Sequence, residues 1–342
     1  MNFFILYPFT DKPYGGANQF LKCLRTSLEN RKEYTKRIED AEILIVNANP
    51  ESFTRELFKR LYDLKSNNPE LVIILRVDGV ISRYRPQDVG FDRLLVSFSK
   101  YIADGIVFQS EWGKKQLKNW GFSDNQFEAT IVNAADPNVF FPCDTPRVEG
   151  KIRIISSSWS SNYRKGFSIY KYLDENLDFT RYEMSFVGNS PIEFKNIRSL
   201  PPTDSVKLSE LLRQHDIFIS ATENDTCSNS LIEALSCGLA VLALDSGGNP
   251  ELVGEGGVLY RDTDEILDRI DRLSDRLASF KNSVKAPSIE QASEDYSKFG
   301  NLISKAIKDR TYSPKQFTAW SRCILCLRFM YWKVYRALRR KF

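Results

Sequence analysis

The stretch from Asp216 to Val253 restricts the fold of this chain more than any other. Its 38 residues read DIFISATENDTCSNSLIEALSCGLAVLALDSGGNPELV, with two apolar runs, a polar turn, a short helical segment and a glycine pair. Two apolar strands joined through a helix are typical of a βαβ unit, whose strands are parallel. Open α/β sheets bind ligands at the carboxyl ends of such strands. The segment therefore predicts a parallel sheet with a ligand site rich in acidic side chains and glycine backbone.

The same alternation of strands and helices continues along most of the chain. Proline residues and a loss of periodicity between 140 and 150 predict a linker, and a length of 342 residues favours two domains. We therefore predict an α/β protein with two doubly wound domains facing each other across a cleft. The predicted segments are a first domain over 1–145, a second over 146–286, a helix over 287–312 that could cross back to the first, and a tail over 313–342.

Charge is unevenly distributed. The net charge is +4, but residues 317–342 contain seven basic residues and no acid, so the remaining 41 basic and 44 acidic residues leave the body near −3. This distribution gives no support for nucleic-acid binding. No apolar run is long enough for a spanning helix, and the N-terminus lacks the basic start of a signal peptide. The six cysteines show no disulfide framework, and the metal-like spacing of Cys323 and Cys326 has no second pair and no nearby histidine, so we expect a reducing cytoplasm and no metal site.

The tail predicts a basic amphipathic helix. Placed on a helix, its large apolar residues form one stripe, with most basic residues beside it. Such helices lie in membrane interfaces, so we expect residues 317–342 to contact a membrane surface. The alternatives are a helix packed on the protein body and a dimer contact. The stripe comprises Phe317, Trp320, Ile324, Leu327, Tyr331, Val334 and Leu338.

Two loops have the composition of phosphate sites. Gly15 and Gly16 follow the first strand and open a helix, where bare backbone and the helix dipole favour anions; an ordinary tight turn is the alternative. The loop from Asn162 to Gly166 carries Arg164 and Lys165 after a strand, and two adjacent cations suit a diphosphate. A solvated basic loop is the alternative there.

Two acids and a second glycine loop complete the candidate site. Asp225 precedes the helix that carries Glu233, so the two carboxylates could reach two ends of one ligand. Helix capping is the alternative for Asp225, whereas an acid among apolar neighbours, such as Glu233, needs a partner. Gly247, Gly248 and Asn249 follow the next strand and leave backbone open to a ligand, or form a simple turn.

These residues carry a resemblance to a known family. The chain resembles the retaining nucleotide-sugar glycosyltransferases of the GT-B fold, family 4 (glycosyl transferases group 1), through six motifs in the family's order over about residues 1–305. They are Gly15-Gly16-Ala17, the segment 103–110 (ADGIVFQS), the segment 131–140 (IVNAADPNVF), Lys165-Gly166, the segment 233–238 (EALSCG) and the segment 247–253 (GGNPELV).

The resemblance implies two Rossmann-like domains, the first binding the acceptor and the second the nucleoside diphosphate sugar, with no further cofactor. It implies that Lys165 and Arg164 stabilise the departing diphosphate, that Asp225 holds sugar hydroxyls and that Glu233 holds the ribose. The family has glutamate where this chain has Asp225, and Glu223 is a rival for that role. Backbone contacts to the donor would come from Gly16, Gly247 and Gly248, and Gly15, Asn162 and Asn249 are further donor-binding candidates.

On the acceptor side the resemblance points to the end of the third strand. Asp78 would orient the acceptor or assist as a base, with Arg76 and Arg83 as anion contacts; a strand-end turn is the alternative. The expected function is metal-independent sugar transfer to a glycan or lipid-linked acceptor in cell-surface polysaccharide or lipopolysaccharide-type synthesis, on the inner face of the membrane. Two alternatives stay open: a catalytically degenerate GT-B protein that partners other glycan-synthesis enzymes, and a GT-B epimerase or phosphorylase.

Overall fold

Strands and helices alternate along most of the protein. The computed structural model describes residues 1–10, 16–83, 85–122, 125–142 and 150–339. Its elements up to residue 130 are β1 Phe3–Leu6, α1 Gly16–Asn30, β2 Ile43–Asn47, α2 Arg55–Asn67, β3 Val72–Arg76, α3 Val89–Tyr101, β4 Gly105–Phe108, α4 Glu111–Asn119 and β5 Phe127–Thr130.

The remaining elements repeat the alternation and end in four helices. They are β6 Ile152–Ser158, α5 Phe167–Asn176, β7 Tyr182–Gly188, β8 Arg198–Leu200, α6 Ser205–Arg213, β9 Ile217–Ser220, α7 Asn229–Ser236, β10 Ala240–Leu244, α8 Asn249–Val253, β11 Gly257–Tyr260, α9 Thr263–Asp275, α10 Leu277–Asn282, α11 Ile289–Lys308 and α12 Ala319–Arg339.

The chain divides into two compact units. The first unit comprises Met1–Phe9, Leu24–Val132 and Glu290–Phe342, and the second comprises Thr10–Cys23 and Asn133–Ile289. Each unit has its own parallel sheet, as the apolar runs predict, because strands covered on both faces are apolar throughout. The prediction of an α/β fold with two domains, each built on a parallel sheet, is confirmed.

The sheet of the first unit keeps the order of the chain. Among the described residues its strands lie in the order β1-β2-β3-β4-β5, all parallel, with Asn47 opposite Arg76 at the carboxyl ends of β2 and β3. Side chains of α2 and α3 fill its core, including Leu61 and Phe98. Thr54 begins α2 by accepting a hydrogen bond from the Leu57 amide.

Asp104, from the sequence segment 103–110, has a structural role in the first unit. It is fully buried, and its carboxylate accepts hydrogen bonds from the Ile73 amide at 2.8 Å, the Lys65 ammonium at 3.5 Å, the Tyr312 hydroxyl at 2.9 Å and the Lys315 amide at 2.7 Å. A buried charge is stable only with such a set of partners. Asp104 therefore pins the segment before α12 to the sheet.

One face of α12 belongs to the core of the first unit. Leu325, Phe329 and Trp332 are buried there. The Trp332 indole Nε1 donates to Asp88 Oδ1 at 2.9 Å, and the Arg336 guanidinium lies 3.2 Å from the same oxygen. The predicted C-terminal helix is therefore present, and one side of it packs on the protein body. Within the described residues, no helix combines the length and apolarity needed to cross a bilayer.

The sheet of the second unit reverses its direction of growth. Among the described residues its parallel strands lie in the order β11-β10-β9-β6-β7-β8. The chain adds β7 and β8 on one side of β6 and then returns to place β9 on the other side, with Ile154 opposite Ile217. The loops that follow β6 and β9 therefore diverge at a topological switch point, where open α/β sheets bind ligands.

Candidate active site

A backbone hydrogen bond joins the loops after β6 and β9 at this switch point. After β6, the Asn162 side chain accepts a hydrogen bond from the Arg164 amide at 3.0 Å and so shapes the turn that carries Lys165. After β9, the Glu223 amide donates to the Arg164 carbonyl at 2.9 Å. The side chains of Asn162, Arg164 and Glu223 are exposed. The backbone thus places the two predicted cations beside the predicted acids.

Lys165 and Asp225 form an ion pair across these loops. The Lys165 ammonium donates to Asp225 Oδ2 at 2.9 Å, and the two side chains are 28% and 20% exposed. The other oxygen, Oδ1, accepts a hydrogen bond from the Cys227 amide at 3.2 Å. An ammonium has three donors, so Lys165 can bind an anion while it keeps Asp225. Asp225 rather than Glu223 pairs with this lysine.

The loop after β10 holds the backbone of Asp225 in place. The Gly248 amide donates to the Asp225 carbonyl at 2.8 Å. Gly247 has a φ of 66°, and a Cβ there would lie 2.2 Å from the same carbonyl oxygen, so only glycine fits. Asn249 is fully buried, and its amide donates to the carbonyls of Leu244 at 3.1 Å and Thr222 at 3.4 Å. Asn249 therefore fixes the loop through its side chain.

Glu233 lines a partly open cavity of about 40 Å³ within the second unit. The cavity is open on one side and receives residues from the starts of α1 and α6, from the segment after β5 and from α7. Its lining comprises Gly16, Gln19, Phe20, Ala134, Ala135, Asp136, Val139, Phe140, Ser205, Asn229, Ile232 and Glu233. Gly16, predicted to bind the donor, and Glu233 therefore share one cavity. Gly15 lies outside the described residues.

Gly16 is required by a side chain that faces it. A Cβ at position 16 would lie 2.0 Å from Nδ2 of Asn229, the first residue of α7. Asn229 Oδ1 in turn accepts a hydrogen bond from Asn133 Nδ2 at 3.1 Å. Asn229 thus closes the cavity wall one turn before Glu233.

The carboxyl group of Glu233 is poorly solvated. Burial raises the pKa of Glu233 to about 8. A carboxyl group that is neutral near pH 7 both donates and accepts hydrogen bonds. It is therefore suited to a hydroxyl-bearing ligand such as a sugar ring.

A second group of polar side chains lies in the first unit, at the carboxyl ends of β2, β3 and β4. Asp78 Oδ1 accepts hydrogen bonds from the Arg76 guanidinium at 2.7 Å and from Gln109 Nε2 at 2.6 Å. Its Oδ2 accepts from Asn47 Nδ2 at 3.2 Å, and Arg76 also donates to Asn47 Oδ1. Arg76 is fully buried, whereas Asp78 is 26% exposed. Asp78 is thus held rigidly and is the member of the group that solvent can reach.

Tyr7 lies near this group, whereas the contacts of Arg83 are with α4. Burial, with a smaller contribution from the negative charge of Asp78, raises the pKa of the Tyr7 hydroxyl. Arg83 donates to Gln116 Oε1 and lies over the Trp112 ring at 5.5 Å. Arg83 is therefore oriented by α4. Arg76 is buried, and it positions the carboxylate of Asp78.

Sequence reasoning missed several residues of both groups. Gln109 and Asp136 lie within the motif segments 103–110 and 131–140, where no separate role was expected for them. Asn47 ends a predicted strand, which is the signal that could have identified it. Asn229 had no comparable signal, because its importance comes from Gly16, which is distant in sequence.

Comparisons with known proteins agree with the resemblance seen in the motifs. Residues 175–276, which include Asp225 and Glu233, match the family model of glycosyl transferases group 1. No curated protein matches the sequence.

Solved structures share the fold at low sequence identity. HepE of Anabaena, solved in complex with UDP-glucose, is 13% identical with a TM-score of 0.62 over 90% of this chain and 99% of its own. Sucrose-phosphate synthase of Thermosynechococcus elongatus is 12% identical, with a TM-score of 0.59 over 91% and 99%. The catalytic domain of starch synthase IV of Arabidopsis thaliana is 13% identical, with a TM-score of 0.58 over 85% and 79%. The chain therefore has the GT-B fold.

Proposed function

We propose that this chain is a retaining glycosyltransferase that moves a sugar from a nucleoside diphosphate sugar to a glycan or glycolipid acceptor. The observation that carries the proposal is the Lys165–Asp225 pair, which joins the loops after β6 and β9 at the switch point of the second sheet. The family match over residues 175–276 and the complex of HepE with UDP-glucose support a nucleotide-sugar donor.

Lys165 and Arg164 bind the diphosphate in this proposal. As the bond to the sugar breaks, negative charge grows on the departing phosphate, and a fixed cation stabilises that charge more than it stabilises the donor. Asp225 keeps the Lys165 ammonium in place through the 2.9 Å contact. Protein cations supply the positive charge here, so we propose transfer without a divalent metal.

The cavity around Glu233 binds the nucleoside part of the donor. The carboxyl group of Glu233 pairs with ribose hydroxyls, and the bare backbone at Gly16 lets the ligand approach α1 closely. Asp225, besides holding Lys165, has a partly exposed carboxylate that can accept hydrogen bonds from the transferred sugar.

Asp78 orients the acceptor hydroxyl in the first unit. Its three hydrogen bonds from Arg76, Gln109 and Asn47 leave a partly exposed carboxylate that accepts a hydrogen bond or a proton. Arg76 is a positioning residue for Asp78. We propose a cell-surface polysaccharide or lipopolysaccharide-type acceptor, handled in the cytoplasm.

Nucleotide release tests the proposal. The first step is a thermal-shift screen of nucleoside diphosphate sugars, because a ligand of the folded state raises the apparent stability. Lys165→Ala should then lower the rate of nucleotide release about 10²–10³-fold with the hit donor. Lys171→Ala, an exposed lysine on α5, is the matched control and should leave the rate unchanged.

Three outcomes contradict parts of the proposal. A Lys165→Ala variant that transfers at the normal rate removes this lysine from the mechanism. No nucleotide release from any bound donor favours the degenerate, non-catalytic alternative. A product whose anomeric proton coupling shows inversion refutes retention.

A further inference from the structure

α12 has a second apolar face that the first unit does not cover. Six large hydrophobic side chains on this helix are between 43% and 62% exposed, out of eleven such residues in the described part of the chain. Hydrophobic residues scattered singly over a surface are ordinary, whereas a contiguous group marks an interaction site. We call this group the outer face; it comprises Trp320, Leu327, Met330, Tyr331, Val334 and Leu338.

The outer face runs along one side of the helix. Trp320, Leu327, Tyr331, Val334 and Leu338 are spaced by seven, four, three and four residues, which keeps them on one stripe. The buried residues Leu325, Phe329 and Trp332 form a different stripe. The helix therefore packs into the core with one side and shows apolar surface on another.

Basic side chains border the outer face, and α12 has no acidic residue. Arg328, Lys333 and Arg339 are exposed on α12 itself. On the neighbouring α3, the Arg93 guanidinium lies 5.9 Å from the Tyr331 ring centre. Lys100 extends the basic border on α3, since it lies over Tyr101, whose ring meets Trp320 edge-on at 5.2 Å.

The two acids at the start of α3, beside α12, are buried. Asp88 is fully buried and bound to Trp332 and Arg336. Asp92 is buried, and both its oxygens accept hydrogen bonds from the amides of Ile81 and Ser82. The surface therefore combines exposed apolar side chains with positive charge.

We propose that the outer face of α12 docks on an anionic lipid bilayer. Trp and Tyr rings suit the boundary between headgroups and acyl chains, and flanking cations attract anionic headgroups. Each cation near such a surface strengthens binding about fivefold, before screening by salt. Five cations border this face, and their charge favours an anionic bilayer over an uncharged protein partner.

The contacts of Asp88 with Trp332 and Arg336 hold α12 on the first unit with its outer face exposed. A Cβ at Gly90 would lie 2.7 Å from the Trp332 Cα, so α12 and α3 are in close backbone contact. Asp88 also ends the turn Pro86–Asp88, which follows the segment carrying Asp78 and Arg83. On the basis of the proposed function, a docked α12 would hold the acceptor side of the enzyme at the surface where a lipid-linked acceptor resides.

Vesicle binding tests the docking face. The full chain should sediment with vesicles of phosphatidylcholine and phosphatidylglycerol, less at high salt, and weakly with phosphatidylcholine alone. Leu327→Ser/Val334→Ser should weaken binding about tenfold or more, because each serine removes apolar surface from the bilayer. Leu302→Ser, at an exposed leucine of α11 in the same unit, is the matched control and should bind like the unchanged protein.

Three results would overturn the inference. The first is an unchanged protein that does not bind the anionic vesicles, and the second is a double variant that binds them as well as the control does. The third is a dimer, detected by light scattering, that the double variant dissociates while neither protein binds vesicles; the outer face would then belong to a second copy. Nucleotide release from a soluble donor should be the same in all variants, so failure here is distinguishable from failure of the proposed function.

Discussion

Replacing Glu233 by glutamine should remove a large pH dependence from the stability of the second unit. Burial raises the pKa of Glu233 from 4.5 to about 8 in the folded state. The folded protein therefore holds this proton more tightly than the unfolded chain does. The stabilisation is fully present below about pH 4.5 and is lost as the pH rises through about 8.

The size of the effect follows from the two pKa values. At 1.36 kcal/mol for each pH unit between 4.5 and about 8, the upper limit is about 5 kcal/mol. Between about pH 5.5 and 8.5 the same relation gives a loss of about 3 kcal/mol. Glutamine has nearly the same shape as the neutral acid and carries no proton to lose, so Glu233→Gln should lack this component.

Urea unfolding across this pH range measures the difference. The free energy of unfolding of the unchanged protein, minus that of Glu233→Gln, should fall by about 3 kcal/mol from pH 5.5 to 8.5. Other titrating groups contribute equally to both proteins and cancel. Glu255→Gln, at an exposed acid of the same unit, should follow the unchanged protein. A flat difference for Glu233→Gln would show that its carboxyl group is ordinary, and would refute the argument from burial.

Two further predictions concern packing. Gly16→Ala should weaken donor binding in calorimetry about tenfold or more, since its Cβ would displace the Asn229 side chain; adding Asn229→Gly, which removes the Asn229 Cβ as well as its amide, should restore binding, and a double variant that stays weak would contradict the steric argument. Trp332→Phe should lower the free energy of unfolding by about 1–3 kcal/mol in urea, because Asp88 loses a buried hydrogen bond. The control Leu338→Ser, at an exposed position, should change this free energy by no more than about 0.5 kcal/mol. Equal losses in both variants would show that the hydrogen bond between Trp332 and Asp88 does not stabilise the fold.

The central strands were predictable because they are buried on both faces. β2, β3, β9 and β10 are continuous apolar runs, and only a parallel sheet between helices buries such runs completely. The edge strands were harder to predict from the sequence. β8 is three residues long and largely exposed, and β11 begins with a glycine, so neither has the pattern of a strand.

α12 shows why a single sequence pattern is not enough. Five residues of the predicted stripe belong to the outer face, whereas Phe317 is buried and Ile324 is half-buried. The residues that enter the core are Leu325, Phe329 and Trp332. They form a second apolar stripe, which the sequence pattern does not distinguish from the first. Which stripe is buried depends on α3 and Asp88, which are far away in sequence. Tertiary packing decides between two faces that look alike in the chain.

Some contacts of the candidate site follow from the order of the strands, and others depend on tertiary packing. Lys165 and Asp225 follow strands that meet at the switch point, so the order of the strands explains their contact. Asn229 faces Gly16 and Gln109 binds Asp78 because helix positions and loop paths bring them together. Short motifs do not encode such contacts.

The four partners of Asp104 have a consequence for biosynthesis. Lys65 and Ile73 leave the ribosome early, but Tyr312 and Lys315 are translated more than two hundred residues after Asp104. The first sheet can form before then, yet its buried carboxylate lacks half its partners, and the groove for α12 stays open. The unit made first is thus completed last, and its nascent form presents an apolar surface that chaperones would recognise during translation.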